Sequence, residues 1–170
     1  MNNKKIVLGI GAAIFLQFAV LTGMYIISAV PLWTGNEVRV ETMPYDPRSL
    51  FRGNYARLRY KITQIEKNKF PQNTFLRKGE QVYVSLKLDA DGLYVFDSVS
   101  LSRPDEGVFI RGRIDRSHTN DYIVKYGIEA FFTAKDKAIA LEKNLTKGGV
   151  AVLMIASNGK AALKDVLPKE

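Results

Sequence analysis

Residues 6–30 contain no charged side chain, and Gln17 with a few small hydroxyl residues is the only polar interruption. As a helix, 25 such positions rise about 38 Å, more than the roughly 30 Å hydrocarbon core of a bilayer. In lipid the backbone of this stretch has to be helical, because hydrocarbon offers no partner to a free amide or carbonyl. The run is longer than the apolar region of a cleaved signal peptide, and Val30-Pro31 is a poor cleavage site. An uncleaved signal anchor is therefore expected. Lys4 and Lys5 in front of it point to a cytoplasmic N-terminus, although Arg39, Arg48 and Arg52 on the far side weaken the asymmetry. Trp33, just past Pro31, reads as an interfacial anchor. The division expected is residues 1–33 as cytoplasmic tip and transmembrane anchor, and residues 34–170 as one domain beyond the membrane.

Composition removes several function classes. There is no cysteine, which excludes a disulfide framework, a thiolate nucleophile and a Cys-ligated metal. The one histidine, His118, sits in a polar loop, Arg116-Ser117-His118-Thr119-Asn120-Asp121, and reads as an ordinary loop residue rather than a catalytic base. With a single histidine, only carboxylates would remain to complete a zinc set, so no metal and no cofactor are expected. The net charge of +8 falls only to +6 without Lys4 and Lys5, a balance that favours anionic surfaces as well as solubility.

Strand periodicity dominates the rest of the chain. Residues 37–42 alternate cleanly; residues 80–88 and 93–101 form a hairpin around Ala90-Asp91-Gly92; residues 108–114 and 122–132 form another. Residues 66–78 read as a surface excursion, with Phe70 and Phe75 as anchors onto the core. Ala138, Leu141 and Leu145 recur at helical spacing before Gly148-Gly149, which predicts one short amphipathic helix. A buried strand over 150–156, an Asn158-Gly159 turn and a closing strand over 161–167 complete the pattern. The fold class expected is mainly β: a transmembrane helix followed by a twisted sandwich or partly open barrel with one short helix.

Turn chemistry, alternation and dense positive charge coincide in one stretch, Asp46-Pro47-Arg48-Ser49-Leu50-Phe51-Arg52-Gly53-Asn54-Tyr55-Ala56-Arg57-Leu58-Arg59-Tyr60. Pro47 fixes its own φ, and Gly53 and Asn54 are the residue types that most readily take positive φ, so the chain can turn sharply before Tyr55. A long strand over 55–65 is expected to follow. Ala56, Leu58, Tyr60 and Ile62 fall on its inner face and Tyr55, Arg57, Arg59 and Lys61 on its outer one.

Gly53-Asn54-Tyr55-Ala56-Arg57-Leu58-Arg59-Tyr60 resembles the motif that names the GDYXXLXY family of bacterial membrane-anchored proteins, with Asn54 where the motif has Asp. The stretches 46–52 and 126–132 look like segments of that family too, so the resemblance covers most of the chain after the apolar run. It implies a single-span anchored domain outside the cytoplasm, often encoded beside multi-pass membrane proteins, with no assigned reaction. The expected location is the bacterial inner membrane, N-terminus cytoplasmic, C-terminal domain periplasmic or extracellular.

The function expected is an accessory or binding subunit of a membrane protein complex. It would dock through Asp46, Arg48, Arg52, Gly53, Asn54, Tyr55, Arg57, Arg59, Tyr60 and Glu129 onto a multi-pass membrane protein or anionic lipid headgroups. Nucleic acid is permitted by composition, but a membrane tether argues against it. The alternative is a tethered hydrolase, using Ser49 with a lysine such as Lys87, or a carboxylate site at Glu129 and Glu142. An ion pair of either glutamate with Arg48, Arg52, Arg57 or Arg111 accounts for the same residues without catalysis.

Overall fold

Asn3–Thr34 forms one helix, α1, of 32 residues, long and apolar enough to cross a membrane. The structure is a computed structural model, and it describes residues 3–43, 55–72, 74–132 and 148–168. Residues 4–28 of α1 are exposed apart from half-buried Gly23, and cover begins at Ala29 and Pro31, both buried. Pro31 has no N–H to give to the carbonyl four residues back. The Ile27 carbonyl it leaves free accepts instead from the Lys160 ammonium at 3.0 Å. Gly35 ends α1, its N–H donating to the Pro31 carbonyl at 2.9 Å. A side chain at Gly35 would run into the Pro31 carbonyl and come within 2.9 Å of the Ile155 nitrogen. Helix and first strand are thus separated by one residue that has no room to vary.

Among the described residues ten strands follow: β1 (Asn36–Thr42), β2 (Tyr55–Arg57), β3 (Gln64–Glu66), β4 (Gln81–Leu88), β5 (Tyr94–Ser100), β6 (Val108–Ser117), β7 (Asp121–Lys125), β8 (Ala130–Phe132), β9 (Gly149–Ile155) and β10 (Ala161–Pro168). Eight make one sheet in the order β10-β9-β1-β5-β4-β6-β7-β3, curled into a half-barrel, and β2 pairs with β8 in a separate ribbon. Neighbours run antiparallel except β1 with β5, which meet in parallel at Val40 and Tyr94. The concave face is filled by the inward set that alternation dictates: Val38 and Val40 from β1, Val82 and Val84 from β4, Ile110 and Ile114 from β6, Val124 from β7 and Leu153 from β9. Each contributes about 2 kcal/mol of transfer free energy. In β9 the neighbouring Val152 is buried as well, which is why its apolar run is unbroken.

The β9–β10 turn draws the half-barrel together. β6 extends beyond the paired end of β7, and there the Arg111 N–H donates to the Gly159 carbonyl at 2.7 Å. Gly159 has φ +78°, and a Cβ on it would meet the Phe109 ring at 2.7 Å. The glycine of the expected Asn-Gly turn is thus required twice, by its own backbone and by the ring beneath it.

Three expectations change. The strand expected over 55–65 is broken, because its hydrogen bonds go to three different places. Leu58 N–H bonds the Glu129 carbonyl, Arg59 and Lys61 exchange bonds with the end of β1, and Thr63 accepts from Val124. The segment therefore straps the concave face from β1 to β7 instead of lying flat in the sheet. The strand expected over 122–132 breaks at Gly127, φ +83°, into β7 and β8. Phe70 is buried and meets Tyr122 edge to face at 5.0 Å, but Phe75 is 92% exposed; its neighbour Leu76 is buried instead. The short helix expected before Gly148 lies outside the described residues.

Gly159→Ala is expected to lower stability by about 2 kcal/mol or more, because φ strain adds to the collision with Phe109. Gly92→Ala, also at positive φ but with open space around it, should cost only about 1 kcal/mol. Urea denaturation of the two variants side by side measures the difference.

Candidate functional site

Two tyrosines fasten the strap. The Tyr60 hydroxyl donates to the Ile128 carbonyl, and the Tyr126 hydroxyl donates to the Ile62 carbonyl, each at 2.5 Å. Each segment thus sends a ring across to the backbone of the other. Tyr60 is wholly buried and Tyr126 nearly so. The ring of Tyr126 fits because residue 112 is glycine: a Cβ there would strike Val124 and stand 2.9 Å from the tyrosine ring. Burial, reinforced by the Glu129 charge, pushes both phenols well above their ordinary pKa, so they remain donors through the physiological range.

Glu129 holds the turn between the two segments. One carboxylate oxygen accepts the Tyr126 N–H at 2.6 Å and the other the Gly127 N–H at 3.0 Å. Charge-assisted bonds of this kind are stronger than neutral ones, and here they fix the positive-φ corner at Gly127. Both oxygens already have backbone donors.

Beside this lock opens a hollow of about 770 Å³ whose walls include Arg59, Asp115, Arg116, His118, Lys125 and Glu129. Asp115 faces Lys125 at 3.0 Å and Arg116 at 3.4 Å. The hydrogen bond from Lys125 is the main reason its carboxyl titrates below the usual range. Both cations are more than half exposed, so these pairs orient side chains rather than stabilise the fold. His118 lies at the exposed β6–β7 turn on the rim of the hollow. Among the described residues no group of three His, Asp or Glu side chains is placed to hold a metal.

The sequence-derived site residues divide into three sets. Arg59 and Glu129 come together on the walls of the hollow. Tyr60 is in the core, as its inward position in the alternation requires. Tyr55 and Arg57 belong to β2, where the backbone alone is described; Asp46, Arg48, Arg52, Gly53 and Asn54, together with Ser49 and Glu142, lie outside the described residues. The outward Lys61 pairs with Glu41 on β1. Sequence reasoning passed over Asp115, Arg116 and Lys125, which flank the β6–β7 turn and are brought to the hollow by strand pairing.

The family model described as GDYXXLXY protein matches residues 17–166, most of the chain. The chain belongs to the GDYXXLXY family. Comparison with curated proteins and with solved structures finds no match. In this GDYXXLXY protein the last two named letters of the motif fall on Leu58 and Tyr60, both buried and both bonded to the 128–129 backbone. This part of the motif is a structural clasp.

The buried phenols give the domain an alkaline limit. A tyrosine whose folded pKa lies above its unfolded value of about 10 contributes stability that is full below pH 10 and lost as pH rises above it, by about 1.4 kcal/mol per pH unit for each ring. The urea midpoint is expected to drop steeply above pH 10. Tyr60→Phe should flatten that slope while costing about 1–3 kcal/mol at neutral pH, because the Ile128 carbonyl loses its donor. Denaturation curves across pH 7–11 for both proteins check this.

Proposed function

We propose that the protein is a membrane-anchored accessory or binding subunit of a membrane protein complex, with its β domain on the outer side of a bacterial inner membrane. The observation that carries this reading is the junction at Gly35: an apolar helix long enough to span continues into β1 through one residue. A domain so joined has no stalk. It would sit against the bilayer, within reach of the loops of a multi-pass partner. Lys4 and Lys5 at the start of α1 support a cytoplasmic N-terminus. The docking surface proposed is the hollow beside the strap, with Arg59 on its wall and Arg57 two residues before it.

The second reading, a tethered hydrolase, draws support from the shared hollow of Glu129, Arg59 and His118. Against it stands the engagement of both Glu129 oxygens by backbone N–H groups, which gives that side chain a structural occupation.

Charge reversal separates the readings. Arg57→Glu with Arg59→Glu in the full chain should cut recovery of a crosslinked membrane partner at least about tenfold, as like-charge contacts do across an interface. The chain itself should stay in the membrane fraction. Undiminished recovery sinks the docking surface; loss of a measurable hydrolysis in Glu129→Gln, with the domain still folded, would install the hydrolase in its place.

A further inference from the structure

The β9–β10 turn and the adjoining length of β6 border a second hollow, of about 470 Å³. Its walls carry Lys78, Arg111, Arg113, Lys125 and Lys160 against a single carboxylate, Asp115. That carboxylate already faces Lys125 and Arg116, at 3.0 and 3.4 Å. Arg113 gives one N–H to the Gly79 carbonyl at 2.8 Å, which fixes its guanidinium at the rim. The floor includes Ile114 and Tyr126. A cationic rim over a partly apolar floor suits an anion that carries carbon on both sides, such as a phosphate diester.

The position of Lys160 sets the depth of this hollow. Its ammonium is bound to the Ile27 carbonyl of α1 at 3.0 Å. A hydrocarbon core of about 30 Å takes up about 20 helical residues. Counted from Ile6, the first apolar position after Lys4 and Lys5, that reaches about residue 25. Cover by the domain begins at Ala29. Ile27 therefore stands just past the hydrocarbon, which puts the Lys160 ammonium bound to it at the level of the headgroup layer.

We infer that the hollow between the β9–β10 turn and β6 is a headgroup site for an anionic phospholipid, with Lys160, Arg111 and Lys78 meeting the phosphate. The inference rests on α1 being the anchor. A soluble phosphate would meet the same cations, but the Lys160–Ile27 link keeps one wall of the site at lipid level and assigns the site to the bilayer.

The test uses full-length protein in detergent, titrated with phosphatidylglycerol or phosphatidylcholine and followed by native mass spectrometry, beside flotation of the same chain with vesicles. Phosphatidylglycerol is expected to bind about 30-fold more tightly than phosphatidylcholine, with Lys78→Gln plus Arg111→Gln erasing the preference. Lys69→Gln plus Lys87→Gln, which removes equal charge elsewhere, should keep it. Equal affinity for the two lipids, equal loss in both double variants, or full displacement by millimolar inorganic phosphate overturns the site. A chain that floats yet shows no lipid preference ends this inference alone; one that fails to float ends the anchor reading with it.

Discussion

Two phenol hydroxyls crossing in opposite directions, Tyr60 to the Ile128 carbonyl and Tyr126 to the Ile62 carbonyl, hold the strap to the sheet. A half-barrel has one concave face to cover, and among the described residues the strap crosses it from β1 to β7. Such a segment cannot satisfy its backbone by regular pairing, since it leaves each neighbour after one or two bonds. Side chains supply what the ladder does not. Each tyrosine fills core volume with its ring and reaches a carbonyl with its tip, the combination that makes tyrosine useful in a buried place. Glu129 and Gly127 form the corner that lets residues 126 and 128 point inward together.

The junction with the helix obeys the same logic. Pro31 removes one donor from α1, and Lys160, from the far end of the chain, supplies another to the same carbonyl. Lys160 follows Gly159, whose carbonyl anchors the turn to β6. One tight turn therefore touches both the closing edge of the sheet and the last part of the helix. The orientation of the domain on α1 is set by packing against β9 and β10 and by these bonds, with no flexible linker between.

The charges lining the first hollow already have occupations. Arg116 and Lys125 pair with Asp115, whose side chain is only 14% exposed, Glu129 is held by backbone N–H groups, and Arg59 shares the wall with them.

Much of this was legible in the sequence, for physical reasons that are local. An uncharged run of 25 residues must be a helix in lipid, strict alternation must put one face inward, and Asn158-Gly159 suits a tight hairpin turn whatever surrounds it. Those rules yielded α1, most of the strands, the β9–β10 hairpin and the inward placement of Leu58 and Tyr60. Alternation does not say which strand a segment meets, so the long strand expected over 55–65 could not be told from a strap. That the helix would run on through Pro31, leave the Ile27 carbonyl without its donor and draw Lys160 to it was not legible. What the sequence determined by itself was the membrane-length helix and the two-faced strands, because periodicity and hydrophobicity act over a few neighbouring residues. Tertiary structure alone decided the strap, the crossed tyrosines and the basic hollow at the foot of the helix, because the bonds that fix them reach far along the chain, 68 and 64 residues for the two tyrosines and 133 for Lys160 with Ile27.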